Sequence, residues 1–145
     1  MTTRQEAILE ALLAALSPHP AQVIREEVLP QRCPEAGLVN LVPGDPVEQG
    51  VHLGTGTREW MAQHSLECVV QAPDAAQRNA ALDALLAALP DLLADPTLGG
   101  LADFLLIGAP ESADHVPIEG AATAKGCVVP ITVFFETSQN PMEAI

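Results

Sequence analysis

The 145-residue chain is predicted to fold as one α+β domain, with two helices packed on one face of a single, mainly antiparallel sheet of four to five strands. Two capped segments carry apolar stripes at helical spacing, and several short runs rich in β-branched residues are typical of strands. The strands do not alternate strictly with the helices, which disfavours a parallel, doubly wound sheet. The length suits one hydrophobic core, so residues 1–145 are expected to form a single domain.

The first helix is predicted over residues 4–16. Thr3 stands at the N-cap position, and Glu6 completes a capping-box pattern three residues later. Pro18 and Pro20 end the helix because proline lacks the N–H that would continue it. Apolar residues recur at i, i+3, i+4 and i+7 and predict one buried stripe: Leu9, Leu12, Leu13 and Leu16.

The second helix is predicted over residues 74–89. Asp74 is its expected N-cap, with Gln77 as capping-box partner. Pro90 is expected to start a second short helical turn, since proline is favoured at the first position of a helix. The glycine pair at 99–100 then turns the chain. The predicted buried stripe of this helix comprises Leu82, Leu85, Leu86 and Leu89.

Alternating or β-branched runs predict four strands, at 37–43, 64–72, 103–109 and 126–137. Pro130 interrupts the last run and predicts an edge position or a β-bulge. Residues 21–30 are ambiguous, because Val23 and Ile24 favour a short fifth strand whereas the charged residues after them weaken the alternation. The polar tail, residues 138–145, is predicted to be irregular.

Residues 43–61 are rich in Gly, Pro and Thr and predict a long hairpin arm or a mobile loop. The segment ends in a candidate interface of four residues, Arg58, Glu59, Trp60 and Met61. Tryptophan, arginine and methionine are enriched in the cores of protein interfaces, so this loop is expected to become ordered on contact with a partner. The alternative is that Trp60 closes the edge of the sheet.

The charge and the cysteines exclude several classes of protein. Nineteen acidic residues against six basic ones give a formal charge of −13, which repels phosphate backbones and anionic membrane surfaces. The three cysteines form no CxxC pair, so neither a zinc ribbon nor a thioredoxin-type motif is present, and buried free thiols are expected. No apolar run is long enough to predict a membrane span.

No catalytic motif is recognisable. The sequence "GTGTRE" at 54–59 lacks the third glycine of a dinucleotide fingerprint, and Lys125, the lone lysine, is expected to be solvated. The histidines are scattered and form no metal-binding pair: His19, His52, His64 and His115. We therefore expect no catalytic residue, no cofactor-binding residue and no metal site, and a binding or assembly role instead of an enzymatic one.

Most of the chain is spanned by four segments: "TRQEAILEALLAAL", "LVNLVPGDP", "QRNAALDALLAALPDLLADPTLGGLAD" and "GAATAKGCVVPITVFFETSQNP". Together, and in this order, they resemble the tail terminator (tail completion) proteins of long-tailed bacteriophages and related phage-like particles. The helix followed by DPTLGGL and a strand is the most distinctive segment. The similarity lies in the pattern and spacing of residues. It therefore indicates which regions of the chain correspond to regions of the family, but it assigns no individual contact residue.

The resemblance implies a subunit of a six-membered ring that caps the head-proximal end of a tail tube, ends tail polymerisation and provides the head-joining surface. The implied partners are further copies of the chain, the tail tube protein and a head-completion or connector protein, with DNA passing through the lumen without specific binding and with no membrane. The protein would be assembled in the bacterial host cytoplasm and lie in the virion. Alternatives are another neck or tail-tube ring protein or, from a different class, a small ligand-binding domain or enzyme.

Overall fold

The computed structural model describes residues 1–25, 33–112 and 124–145. Residues 26–30 of the ambiguous segment, and His115, lie outside the described residues. The α+β class is confirmed, with two long helices, a one-turn helix and seven strands among the described residues. In chain order the elements are α1 (Arg4–Leu16), β1 (Gln22–Ile24), β2 (Leu38–Val42), β3 (Pro46–Val51), β4 (Arg58–Gln71), α2 (Ala75–Ala87), α3 (Leu89–Leu92), β5 (Phe104–Ile107), β6 (Glu111–Ser112) and β7 (Ala124–Thr137).

All the described strands belong to one sheet. The order is β1-β2-β4-β7-β5, while β3 pairs with β4 and β6 pairs with β7. The β1–β2 pair is parallel and the other pairs are antiparallel, so the sheet is mixed but mainly antiparallel. The four predicted strands and the ambiguous run at Val23 and Ile24, which is β1, account for five strands. The count of four to five is too low because β3 and β6 show little alternation of buried and exposed residues.

Helix α1 has the predicted bounds. Thr3 Oγ1 accepts a hydrogen bond from the N–H of Glu6 at 3.2 Å, which is one half of the capping box. The carboxylate of Glu6 binds Arg25 instead, through two hydrogen bonds of 2.6 and 2.9 Å. The start of α1 is therefore tied to the residue that follows β1. The buried stripe of α1 comprises Ile8, Leu9, Leu12 and Leu16.

Helix α2 begins as predicted and is slightly shorter. Asp74 Oδ1 accepts a hydrogen bond from the N–H of Gln77 at 2.8 Å, so the predicted N-cap is confirmed. Pro90 lies in the first turn of α3, where its missing N–H costs no helical hydrogen bond. The buried leucines of these two helices are Leu82, Leu85 and Leu89.

The turn after α3 is organised by the carboxylate of Asp95. One oxygen accepts hydrogen bonds from the N–H and the hydroxyl of Thr97, and the other accepts from the N–H of Gly99 at 2.8 Å. Gly99 and Gly100 have φ angles of 72° and 93°, which glycine adopts without strain. The DPTLGG sequence is therefore a structural turn that leads the chain from the helices to β5.

Strands β4 and β7, with 14 residues each, pair along their whole length at the centre of the sheet. The register runs from Arg58 opposite Thr137 to Gln71 opposite Ala124. The predicted start of β4 at residue 64 is wrong, because β3 and β7 both pair with its first half and extend the strand into the glycine-rich segment.

A break between β2 and β3 brings a glycine and a histidine together. Both strands pair with the same strand, β2 with residues 65–69 of β4 and β3 with residues 58–62. Gly44 lies in the break, so close to β4 that an added Cβ atom would overlap the carbonyl oxygen of Gln63. Its N–H donates to Nδ1 of His64 at 2.9 Å. The imidazole therefore satisfies a backbone donor where the strand pairing is interrupted.

Pro130 lies in the central strand β7, so the expected edge position is wrong, while the expected irregularity is present on one side only: the register shifts by one residue between the Ile107–Ile131 and Glu111–Val128 pairs. Its register partner on β4 is Ser65, and the pairing continues there without a shift. On the other side, β5 and β6 are separated by a break at Gly108, whose N–H donates to the Pro130 carbonyl at 2.8 Å. In a strand, the N–H and C=O of one residue point towards the same neighbouring strand. Since the carbonyl of Pro130 points towards the break between β5 and β6, the position where its N–H would be also faces this break.

Both long helices pack on one face of the sheet, called the helix-covered face below. Helix leucines and alternate strand residues form one core cluster, so the predicted placement of the helices is confirmed. The strand residues in it are Val39, Leu41, Ala62, Leu66, Cys68, Val70, Leu105, Cys127, Val129, Ile131, Val133 and Phe135. The three cysteines are free, with Cys68 and Cys127 buried and Cys33 half-buried.

The C-terminal segment 138–145 is attached to the start of the chain. An isolated bridge pairs Thr3 with Ala144, and the N–H of Ile145 donates to the carbonyl of Thr2 at 3.0 Å. Within the described parts of the chain, no helix has both the length and the apolar character that crossing a membrane requires.

Candidate functional site

The face of the sheet opposite the helices, called the open face below, carries a row of apolar side chains across four strands. The backbone register aligns Val47 on β3, Met61 on β4, Phe134 on β7 and Phe104 on β5. Residues directly opposite each other in a sheet project from the same face. Val47 is 54% exposed and Phe104 is 47% exposed, while the two residues between them are half-buried. These four residues, the apolar row, are available for contact.

Polar residues border the apolar row on both sides. On one side Gln63 and Thr132 are register partners, and Leu106, 49% exposed, extends the apolar surface beside them. On the other side Glu59 faces Glu136. An exposed apolar strip with a polar rim is typical of a protein–protein contact surface.

The glycine-rich segment forms a hairpin from β3 and the first half of β4. At its end, the N–H of His52 donates to the carbonyl of Thr57, and the N–H of Gly56 donates to the carbonyl of His52, both at 2.8 Å. Leu53 at the tip is 93% exposed. The structure therefore has the hairpin arm, whereas the mobility of residues 43–61 in the free subunit stays a prediction.

The predicted interface residues 58–61 alternate between the two faces of β4, with Arg58 and Trp60 on the helix-covered side. The guanidinium of Arg58 lies 4.6 Å from the centroid of the Trp60 ring and makes hydrogen bonds of 3.0 and 2.7 Å with Glu48. Trp60 Nε1 donates to Thr137 Oγ1 at 2.9 Å, and the indole packs against the core. Trp60 lies between β3 and β7, so the alternative that it closes a sheet edge is wrong in its placement, although the indole does pack on the core. Its role as an interface anchor stays a prediction.

Glu59 and Met61 are on the open face. Met61 belongs to the apolar row, and Glu59 Oε1 lies 2.9 Å from His52 Nε2. A ring nitrogen of His52 and carboxylate oxygens of Glu59 and Glu136 all lie within 4.8 Å of one another. The fold thus assembles one imidazole and two carboxylates at metal-ligand spacing. The spacing of these residues along the chain matches no metal-binding motif, so the prediction of no metal site does not anticipate the cluster.

The residues that dominate the open face, Val47, Phe104, Leu106 and Phe134, were not singled out from the sequence. The runs FLLI and VFFE were interpreted as strands, but which of their residues face the helices depends on the register with neighbouring strands. One signal was present: FLLI is apolar on both of its faces, which is typical of a strand that is covered on both sides.

Two buried histidines have structural partners. His19 Nε2 donates to the carbonyl of Leu85 at 3.0 Å, which links the end of α1 to α2. His64 is almost fully buried and accepts the N–H of Gly44. Burial, with a smaller contribution from the positive charge of Arg25, lowers the pKa of His64 to about 4. This imidazole is therefore neutral at physiological pH and acts as a hydrogen-bond acceptor inside the core.

No protein-family model matches the chain, and no curated protein matches it. The resemblance to tail terminators therefore depends on the sequence segments quoted above. Interpretation of the open face depends on the geometry and chemistry of its own residues.

Proposed function

We propose that the chain is a structural subunit of a ring that caps the head-proximal end of a phage tail tube, ends tail polymerisation and provides the head-joining surface. The observation that carries the proposal is the apolar row on the open face. The row runs across four strands, with Val47 and Phe104 exposed at its ends and Met61 and Phe134 half-buried between them, and such a continuous apolar strip is typical of a contact surface. The resemblance of the sequence to tail terminators supports this particular assembly.

A closed ring requires two different, complementary surfaces on each subunit. The apolar row is one candidate. The second is the tip of the hairpin, where Leu53 is 93% exposed and Val51 is 50% exposed. We propose that the hairpin tip of one subunit packs on the open face of the next, which would bury both sets of apolar side chains. The tail tube protein and a head connector would then bind the two ends of the ring.

The charge of the chain determines how such a ring depends on salt. Six copies at −13 each carry a formal charge of −78, so the subunits repel one another at low ionic strength. The attraction must come from apolar burial, and added salt is expected to strengthen assembly by screening the repulsion. An acidic lumen would let DNA pass without binding, in a virion tail assembled in the host cytoplasm.

The proposal is tested on the full chain by native mass spectrometry and negative-stain electron microscopy over a salt series. We expect rings of six that become more abundant as salt increases. Phe104→Ser should weaken ring formation by about tenfold or more, because it removes an aromatic contact from the apolar row. The matched control is Ala84→Ser on the exposed side of α2, which should leave assembly unchanged.

A chain that stays monomeric at every salt and protein concentration would contradict the proposal. Rings that form equally well from the Phe104→Ser variant would show that the open face is not the contact surface. Stacked rings or long tubes would indicate the alternative of a tail-tube protein. Dissociation by added salt would contradict apolar association between like-charged subunits.

A further inference from the structure

We propose that His52, Glu59 and Glu136 form a binding site for a divalent transition-metal ion, with Zn²⁺ as the best-fitting ion. The site lies on the open face, next to the apolar row and at the base of the hairpin turn. The inference concerns these three side chains alone and does not depend on the proposed ring.

The three residues come from separate parts of the chain and meet through strand pairing. Glu59 on β4 and Glu136 on β7 are direct register partners, so their carboxylates project side by side. His52 follows β3, and its Nε2 atom lies 2.9 Å from Glu59 Oε1. All three donor atoms lie within 4.8 Å of one another. Around a tetrahedral Zn²⁺ with ligand distances of about 2.1 Å, neighbouring donors are about 3.4 Å apart, so small side-chain rotations would suffice.

The backbone holds these side chains in position. Two hydrogen bonds close the hairpin turn through the backbone of His52, and β4 and β7 are paired without interruption at Glu59 and Glu136. Gly50 lies opposite Glu59 on β3, and an added Cβ atom there would be 3.2 Å from a Glu59 carboxylate oxygen. The absence of a side chain at Gly50 therefore leaves room for the carboxylate to turn towards the site.

The donor set indicates the class of ion. One imidazole nitrogen with carboxylate oxygens suits Zn²⁺ and similar transition-metal ions, whereas Mg²⁺ and Ca²⁺ prefer oxygen ligands alone. Three protein ligands leave a fourth tetrahedral position for water or for a group from another molecule. A cation would also relieve the repulsion between Glu59 and Glu136, because like charges directly opposite each other destabilise a sheet.

The test is isothermal titration calorimetry of the full chain with ZnCl₂ at pH 7.5, with NMR detection of the histidine rings. We expect one Zn²⁺ per chain and a shift of the His52 ring signals on binding. Glu136→Gln should weaken binding by about tenfold or more, since it removes a charged ligand at nearly constant shape. His52→Ala should weaken binding further, and excess Mg²⁺ should not displace the ion.

Matched controls separate the site from other ligands in the chain. Glu10→Gln removes an exposed carboxylate from α1 and should bind Zn²⁺ like the unaltered chain. Glu136→Gln preserves the His52–Glu59 pair and removes the repulsion between the two glutamates, so its thermal melting in the absence of metal should be equal to or slightly above that of the unaltered chain. The proposal is wrong if millimolar Zn²⁺ does not bind, or if Glu136→Gln and His52→Ala bind it as tightly as the unaltered chain.

Discussion

The two faces of the sheet differ in what covers the same strands. On the helix-covered face, Leu66, Ile131 and Val133 have no solvent exposure, because leucines of α1 and α2 pack on them. On the open face, Val47 and Phe104 remain about half exposed although they are equally apolar. Strand alternation therefore places neighbouring residues in different environments: the helix-covered face forms the main core, while around β3 and β5 the open face leaves apolar side chains exposed. Near β1 the open face is covered as well, since Leu38 and Val69 are buried there in a second cluster.

The largest expected effect comes from truncating the same residue type on each face. Leu66→Ala should lower the free energy of unfolding by about 3 kcal/mol, because it leaves a cavity in a fully buried site. Leu106→Ala should lower it by about 1 kcal/mol or less, since its side chain is already half exposed. Urea denaturation of both variants measures the difference. Equal losses would show that the open face contributes to folding as much as the covered face does.

Local signals explain why the helices could be predicted. Each long helix has its N-cap, Thr3 or Asp74, and its leucine stripe within one short segment of the chain. Local sequence is therefore sufficient to predict both helices. The edges of the sheet depend on remote partners. Strand β3 forms because residues 58–62 are available to pair with it, and Pro130 is tolerated in a central strand because β5 and β6 are interrupted at Gly108.

The same reasoning applies to the candidate site. The four-residue interface at 58–61 was predicted from residue types, but strand alternation separates Trp60 from Met61 onto opposite faces. The apolar row depends on the register of four strands, and the cluster of His52 with two glutamates depends on the pairing of β4 with β7. Neither arrangement has a spacing that sequence reading could detect.

A smaller loss of stability is expected at acidic pH, because His64 is buried on the helix-covered face. The pKa of His64 is lowered to about 4 by burial, against an ordinary value of 6.5 in the unfolded chain. The unfolded state therefore takes up a proton first, and the stabilisation present above pH 6.5 is lost as the pH falls towards 4. The loss from this group is about 1.4 kcal/mol per pH unit, or about 2 kcal/mol between pH 6.5 and 5.

Urea denaturation at pH 7.5, 6 and 5 measures this loss. The control is His64→Gln, whose amide oxygen can accept the N–H of Gly44 but does not titrate. Stability of the variant should change less with pH over this range, and the difference between the two slopes isolates the histidine. Identical slopes would mean that His64 titrates as it does in the unfolded chain and that its burial has no electrostatic consequence.

The smallest effects on stability are expected at Trp60 and Met61, two adjacent residues of β4 that point to opposite faces of the sheet. Trp60 packs towards the helix-covered core and donates to Thr137, so Trp60→Ala should lower the free energy of unfolding by about 1.5 kcal/mol, less than for a fully buried aromatic. Met61 lies on the open face, so Met61→Ala should change stability by about 0.5 kcal/mol while weakening self-association. Denaturation and sedimentation of both variants measure the two quantities together. If Trp60→Ala keeps full stability but loses association, Trp60 is an interface anchor after all, and the contrast between the two faces fails at the start of β4.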